Sequence, residues 1–370
     1  MKNTYKKNFP SPEQIKKDYP LLPHHLAFIA KSRQQCAKIV RQEHNVFAAI
    51  VGPCSIHDFQ SAIEYATRLK KLSSELSDSI FLTMRCFIEK PRTRFGWKGL
   101  LYDPFLDGSN EIEEGIRQSR KLFLALAELQ VPCACELLEP LAVEYFDDLI
   151  SWGFIGARTS ASQPHRQFAS GLPFPVGFKN GIHGEIDVAI SAVLSAHMPH
   201  SYLGLDEQGK ISAISSSGNP LAHIVLRGSE TATNFDPASL EKIIYLLKAH
   251  QLDPVFLIDC GHGNSKKNYT HQAIVFQSAI QQLLEGNSSI LGIMLESHLS
   301  PGKQPLLENP KNLSYGMSIT DSCLGWEETK NLLLWADRLL SIHFNQLGPK
   351  MMLPGLNEKT TGCEHFNLIR

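Results

Sequence analysis

The amino-acid sequence predicts an α/β fold, a (β/α)8 TIM barrel with an N-terminal extension and an inserted β-hairpin, on three observations. Short apolar runs recur eight times, longer amphipathic helical patterns separate them, and a polar or ionisable residue stands at the end of each run. Nearly uniform apolar runs mark parallel strands covered on both faces. Strand–helix alternation repeated this often fits a closed barrel better than an open doubly wound sheet.

Taken in order, residues 1–44 precede the first run and carry a helical pattern at Pro23–Gln42, so an extension is expected there. The eight runs are Val46–Val51, Ile80–Phe87, Cys133–Leu137, Phe154–Ala157, Pro175–Lys179, His223–Arg227, Val255–Asp259 and Ile290–Leu295. Ser61–Leu76, Glu113–Leu129 and Leu240–His250 are the clearest amphipathic segments between them. Near 200–220, Tyr202-Leu203-Gly204-Leu205 and Ile211-Ser212-Ala213-Ile214 read as a hairpin inserted before the sixth strand. The barrel is thus expected over 45–345, with 346–370, a mix of Pro, Gly and polar residues, as a loose tail.

Composition narrows the function. A hydrophobic share of 43% supports a large core and excludes a disordered chain. A net charge of -1 and a pI near 6.9 give no electrostatic reason to expect nucleic acid or an anionic membrane. No run approaches the ~18 apolar residues that span a bilayer. Pro10, Pro12, Pro20 and Pro23 interrupt the basic N-terminus, so no signal peptide is expected. Eight cysteines without a secreted-domain spacing read as reduced thiols in a cytoplasmic protein. Cys133 and Cys135 read as strand residues.

A barrel carries its site at the C-terminal ends of its strands. Six cations fall there: Arg85, Lys90, Arg92, Arg158, Lys179 and Arg227. Any one of them could be a solvated rim charge. Together, without a matching surplus of nearby acids, they point to anionic ligands, because a buried unpaired cation costs several kcal/mol. A charge-assisted bond to phosphate returns roughly 1.5–3 kcal/mol, and six cations suit two phosphorylated molecules. The second constellation is Cys54, His262, Glu296 and Asp321, on strands one, seven and eight and just beyond. These strands are neighbours in a closed barrel, so the four side chains could converge on a divalent ion. Each also has a plainer reading. Cys54 could be inert core, His262 one of fifteen histidines, Glu296 a helix-facing charge and Asp321 the N-cap of the helix that starts at Gly325–Thr329.

At these residues the sequence closely resembles the class I 3-deoxy-D-arabino-heptulosonate 7-phosphate (DAHP) synthases, from about Pro10 to Leu340. The resemblance is carried by VGPCSIHD from Val51, EKPRTRFGWKG from Glu89, IGARTSASQPHRQFASG from Ile155 and PVGFKNG from Pro175. HIVLRG from His223, GHGNSKK from Gly261, ESHL from Glu296 and YGMSITDSCLGWEET from Tyr315 extend it. The resemblance implies a barrel whose extension and hairpin make subunit contacts and an inhibitor site, in a homodimer or homotetramer. It implies condensation of phosphoenolpyruvate with erythrose 4-phosphate, the first step of the shikimate pathway, and feedback inhibition by an aromatic amino acid. The implied metal ligands are Cys54, His262, Glu296 and Asp321, for manganese, iron, zinc or cobalt. Arg85, Arg158, Lys179 and Arg227, beside Gly156 and Ala157, would grip phosphoenolpyruvate, with Lys90 close to its carboxylate. Arg92 and Thr93 would meet erythrose 4-phosphate. Glu136 would lie at the reacting centre, and a metal-bound water, Glu136 or a neighbouring ligand could activate water.

Lys90-Pro91-Arg92-Thr93 is the erythrose 4-phosphate form of a string that reads Ala-Asn-Arg-Ser in sister enzymes acting on arabinose 5-phosphate. Met317, Gly261, Ser229, Ile182-His183 and Arg94 depart from the family pattern without removing a proposed ligand or phosphate cation. Pro173 argues against phenylalanine as effector, and Ser217-Gly218-Asn219-Pro220 looks more like tryptophan-regulated members. The alternatives are a non-catalytic regulatory paralogue and a synthase that uses another phosphosugar aldehyde.

Overall fold

The eight apolar runs form eight parallel strands, and the last pairs with the first to close the sheet. The computed structural model describes residues 8–348, so residues 1–7 and nearly all of the expected tail over 346–370 lie outside the described residues. Helices α1 (Pro12–Asp18) and α2 (Pro23–Val40) precede the barrel. Then come β1 (Phe47–Gly52), α3 (Phe59–Glu75), β2 (Ile80–Arg85), α4 (Ile112–Glu128), β3 (Cys133–Glu136), a short α5 (Pro140–Val143) and β4 (Trp152–Ile155). They are followed by α6 (Gln163–Ala169), β5 (Val176–Lys179), α7 (Ile186–His197) and the hairpin β6 (His200–Leu205) and β7 (Ile211–Ser216). The chain continues through β8 (His223–Leu226), α8 (Pro237–Ala249), β9 (Phe256–Asp259), α9 (Gln272–Leu284), β10 (Ile290–Glu296) and α10 (Trp326–Leu347). The barrel order is β1-β10-β9-β8-β5-β4-β3-β2, with β6 and β7 antiparallel outside it.

Side-chain alternation divides the core into two layers. Phe47, Ala49 and Val51 of β1 face the helices, while Ala48 and Ile50 point inward with Phe87, Ala134, Phe154, Val225 and Leu257. Cys36, Ile39 and Val40 at the end of α2 join this inner cluster. The extension therefore plugs the N-terminal mouth of the barrel and leaves the opposite mouth for a site. Local signals start the helices. Asp58 accepts from the Ser61 N–H at 2.6 Å to cap α3, and Asp236 accepts from the Ser239 N–H at 3.0 Å ahead of Pro237 in α8.

Helix α1 lies against the hairpin, where the Glu13 N–H donates to the Glu207 carbonyl at 2.8 Å. Leu203 and Ile211 stay 79% and 78% exposed on the outer hairpin face. The fourth strand ends at Ile155 rather than Ala157, because Thr159 and Ser160 both donate to the Gly156 carbonyl and turn the chain. Asp321 is not a helix cap, since Gly325 occupies the N-cap of α10.

Candidate active site

Strand register brings the polar ends together. Gly52 at the end of β1 pairs with Glu296 at the end of β10, and the Ser297 N–H donates to the Gly52 carbonyl at 2.8 Å. Cys54 thereby lies next to Glu296. On β9, Met294↔Asp259 pairing sets Asp259 and the turn after it on the same rim. This rim surrounds a cavity of about 700 Å³. Its lining includes Arg85, Lys90, Arg92, Thr93, Glu136, Gly156, Ala157, Arg158, Lys179, Arg227, His262, Glu296 and Asp321. Of the residues put forward for catalysis, substrate or metal, Cys54 alone is absent from that lining, being buried just beneath it.

The donor atoms of Cys54, Glu296 and Asp321 lie within 4.8 Å of one another. His262 stands beside them, its Nε2 3.9 Å from Glu296 Oε1, but outside that tight group. Lys90 Nζ donates to Cys54 Sγ at 2.9 Å and to Asp321 Oδ2 at 2.7 Å. Burial and the nearby Glu296 push the Cys54 thiol up to about 11. The Lys90 ammonium holds the Asp321 carboxyl well below the usual carboxylate range, and burial only partly opposes it. Burial works against the Lys90 charge, but Cys54, Asp321 and Glu296 outweigh it and raise its pKa. A cluster that already draws one cation fits a divalent ion, and its sulfur and oxygen donors, with the His262 nitrogen beside them, would suit a borderline metal.

The expectation that the six cations lack nearby acids is corrected by the structure. Arg85 Nη2 pairs with Glu296 Oε1 at 3.0 Å, Lys90 with Asp321, and Lys179 Nζ with Asp259 Oδ2 at 2.6 Å. These acids sit on other strand ends or beyond them, far away in sequence, which is why local charge counting misses them. The other three differ. Arg92 Nε donates to the Trp97 carbonyl and Arg158 Nε to Thr93 Oγ1, and neither makes an ion pair among the described residues. Arg227 Nη1 is buried with no hydrogen-bond partner, and burial lowers the pKa of its guanidinium. Arg85 also donates to the Cys54 carbonyl at 3.1 Å and lies 3.6 Å over the Phe87 ring. A buried, anchored guanidinium of this kind is pre-positioned rather than mobile.

Two contributors were missed in the sequence. Asp259 was read only as a strand end, although it stands three residues before His262 on the same turn. Burial opposes its charge, but His262 and Lys179 outweigh that and hold its carboxyl well below the usual range. Gln272 of α9 clamps the backbone of Glu296, donating to its carbonyl at 3.0 Å and accepting its N–H at 2.8 Å. Nothing in the sequence marks that glutamine. Glu136 reaches the cavity beside Gly156, where a Cβ would come within 2.2 Å of Glu136 Oε1.

Comparison with known proteins adds an independent line. The profile of the DAHP synthetase I family matches residues 27–334. A Tyr-sensitive phospho-2-dehydro-3-deoxyheptonate aldolase of Escherichia coli (strain K12) is 43% identical over 323 residues, 87% of this chain and 90% of that protein. A tyrosine-inhibited phospho-2-dehydro-3-deoxyheptonate aldolase of Schizosaccharomyces pombe is 42% identical over 322 residues, 86% of this chain and 87% of that protein. The solved structure of the phospho-2-dehydro-3-deoxyheptonate aldolase from Francisella tularensis SCHU S4 shares 39% identity and a TM-score of 0.89, covering 92% of this chain and 99% of that chain.

Proposed function

Because the chain belongs to the DAHP synthetase I family, we propose that it condenses phosphoenolpyruvate, erythrose 4-phosphate and water to DAHP and inorganic phosphate. The observation that carries this reading is the division of the six cations within one cavity. Arg85, Lys90 and Lys179 are tied to Glu296, Asp321 and Asp259, while Arg92, Arg158 and Arg227 make no ion pair among the described residues. Arg227 is half-buried with its Nη1 fully buried and unbonded, so an anion placed there would supply the missing partner. One phosphate between Arg158 and Arg227 and a second at Arg92 and Thr93 would supply that balance.

The chemistry follows from this arrangement. Carbon 3 of phosphoenolpyruvate forms the new bond to the aldehyde carbon, and water adds at carbon 2, where positive charge develops. Cleavage of the carbon–oxygen bond then frees phosphate. Cys54, His262, Glu296 and Asp321 would hold a divalent cation that supplies Lewis acidity toward the aldehyde. Fixed guanidinium and ammonium groups hold two mutually repelling phosphates in attack geometry without reorganising during the reaction. Lys90, already beside the donor cluster, would meet the phosphoenolpyruvate carboxylate. Glu136, lining the same cavity, would take the proton from the attacking water.

Two relatives named for tyrosine sensitivity support an aromatic amino acid as feedback inhibitor. The exposed Leu203 and Ile211 on the hairpin, beside α1, support a homodimer or homotetramer built through that face. The deciding assay follows phosphoenolpyruvate loss after chelation and manganese re-addition, with erythrose 4-phosphate or arabinose 5-phosphate. Manganese-restored turnover with the four-carbon sugar alone is expected. Turnover with the five-carbon sugar would move the chain to another aldehyde, and none with either would favour a regulatory paralogue.

A further inference from the structure

Three links join the cations of the cavity to the donor cluster. Arg85 meets Glu296 directly, and Lys90 meets both Asp321 and Cys54. In each case the acid is itself one of the convergent donors. The third link is built differently, because its donor is His262, and an imidazole does not neutralise an ammonium. Asp259 stands between them. Its Oδ2 lies 2.6 Å from Lys179 Nζ and 2.9 Å from His262 Nδ1, and its Oδ1 accepts the Gly261 N–H at 2.9 Å.

His262 needs such a partner. Its Nδ1 is buried and, as oriented here, lies oblique to every acceptor, with Asp259 the only acid touching it among the described residues. Its backbone sits at φ 55, the left-handed region that a non-glycine residue enters at a cost unless its surroundings hold it. The Lys267 N–H donates to the His262 carbonyl at 3.0 Å, and Asp259 holds Gly261 on the other side. Asp259 is itself fully buried, so its carboxylate has no solvent to turn toward.

We propose that Asp259 is the positioning residue of the site, turning His262 Nε2 toward the donor cluster and holding Lys179 toward the phosphorylated substrate through one shared oxygen. The inference rests on the reading of the cavity given above and adds a role for a residue that does not itself line the cavity. A carboxylate on the far nitrogen of a ligating histidine fixes the ring's orientation and tautomer, and losing it typically weakens metal binding about 10–100-fold. Since the same oxygen serves Lys179, one substitution should loosen both arms. Metal and anion affinities should then fall together.

The test compares the whole chain with Asp259→Asn and Lys179→Met, measuring manganese affinity without substrate and phosphoenolpyruvate affinity by equilibrium dialysis. Circular dichroism and thermal midpoint serve as fold controls. Asp259→Asn is expected to weaken both affinities about tenfold or more, whereas Lys179→Met weakens only phosphoenolpyruvate binding. If Asp259→Asn fails to fold with Lys179 left unpaired, the double variant Asp259→Asn/Lys179→Met removes both members of the pair. In that background manganese binding should still be weakened. Manganese affinity at the wild-type level in whichever of these two variants folds would overturn the proposal. These binding readouts do not require turnover, so wild-type chain that binds manganese and phosphoenolpyruvate but makes no DAHP would sink the functional reading and leave this one standing. Wild-type chain that binds no manganese would overturn both.

Discussion

Glu89 shows how much a single buried side chain can govern. Burial pushes its carboxyl up to about 8, although the Glu139 and Leu138 N–H groups donate to its Oε2 and partly oppose the shift. Between the ordinary carboxyl value and about 8, the folded chain keeps this proton and the unfolded chain releases it. The stabilising contribution is therefore complete below pH 4.5 and is lost as pH rises toward 8, at ~1.4 kcal/mol per unit in the window. Glu89→Gln is neutral and close in shape to the protonated acid and does not titrate. The difference in thermal midpoint between Glu89→Gln and wild type should grow in favour of the variant from pH 6 to pH 8.5. Parallel curves for the two proteins would show that Glu89 does not keep its proton. Asp321 and Lys90 shift in the directions that preserve their charges, so their pair persists throughout this range.

At the scale of elements, the strands were legible because a strand buried on both faces needs an unbroken apolar run, and the observed bounds differ from those runs by only one or two residues. Helices with one wet face, α3, α4 and α8, were legible for the same reason. Helix α7 was less plain, since Val188 and the exposed Leu194 blur the polar face that Asp187, Ser191 and Ser195 mark every four residues. The donors and cations could be named from strand ends, whereas the acids paired with them could not. Glu296 lies 211 residues from Arg85, and only the barrel register makes them neighbours. The β4 end offers a test of this register. Gly156→Ala would set a methyl where Glu136 Oε1 now lies, and the flexible carboxylate end can swing aside. A loss of roughly tenfold or more in kcat is expected from the misplaced group, with a midpoint only a few degrees lower. Unchanged kcat would show that Glu136 has no part in the reaction.

For the whole molecule, the barrel and its plugged lower mouth are held by apolar packing on both faces of the sheet, independently of the donor cluster. Chelation should therefore leave the far-UV circular dichroism unchanged, while added manganese raises the thermal midpoint in proportion to its binding. Cys54→Ala should retain the fold and lose both metal-dependent turnover and that rise. A chain that unfolds on chelation would assign the metal a structural role instead. The pairing of β1 with β10 also has a consequence for how the chain comes into being. Cys54 emerges early in synthesis, but its partners Glu296 and Asp321 lie 242 and 267 residues later. Contacts this distant are slow to form, because the loop between them must be closed first. Until the last strand arrives, the nascent chain holds Cys54 and exposed strand edges but no site. Closing the barrel at β10 brings in Glu296, and Asp321 follows it, so a chain stalled before β10 is a client for chaperones rather than a slow enzyme.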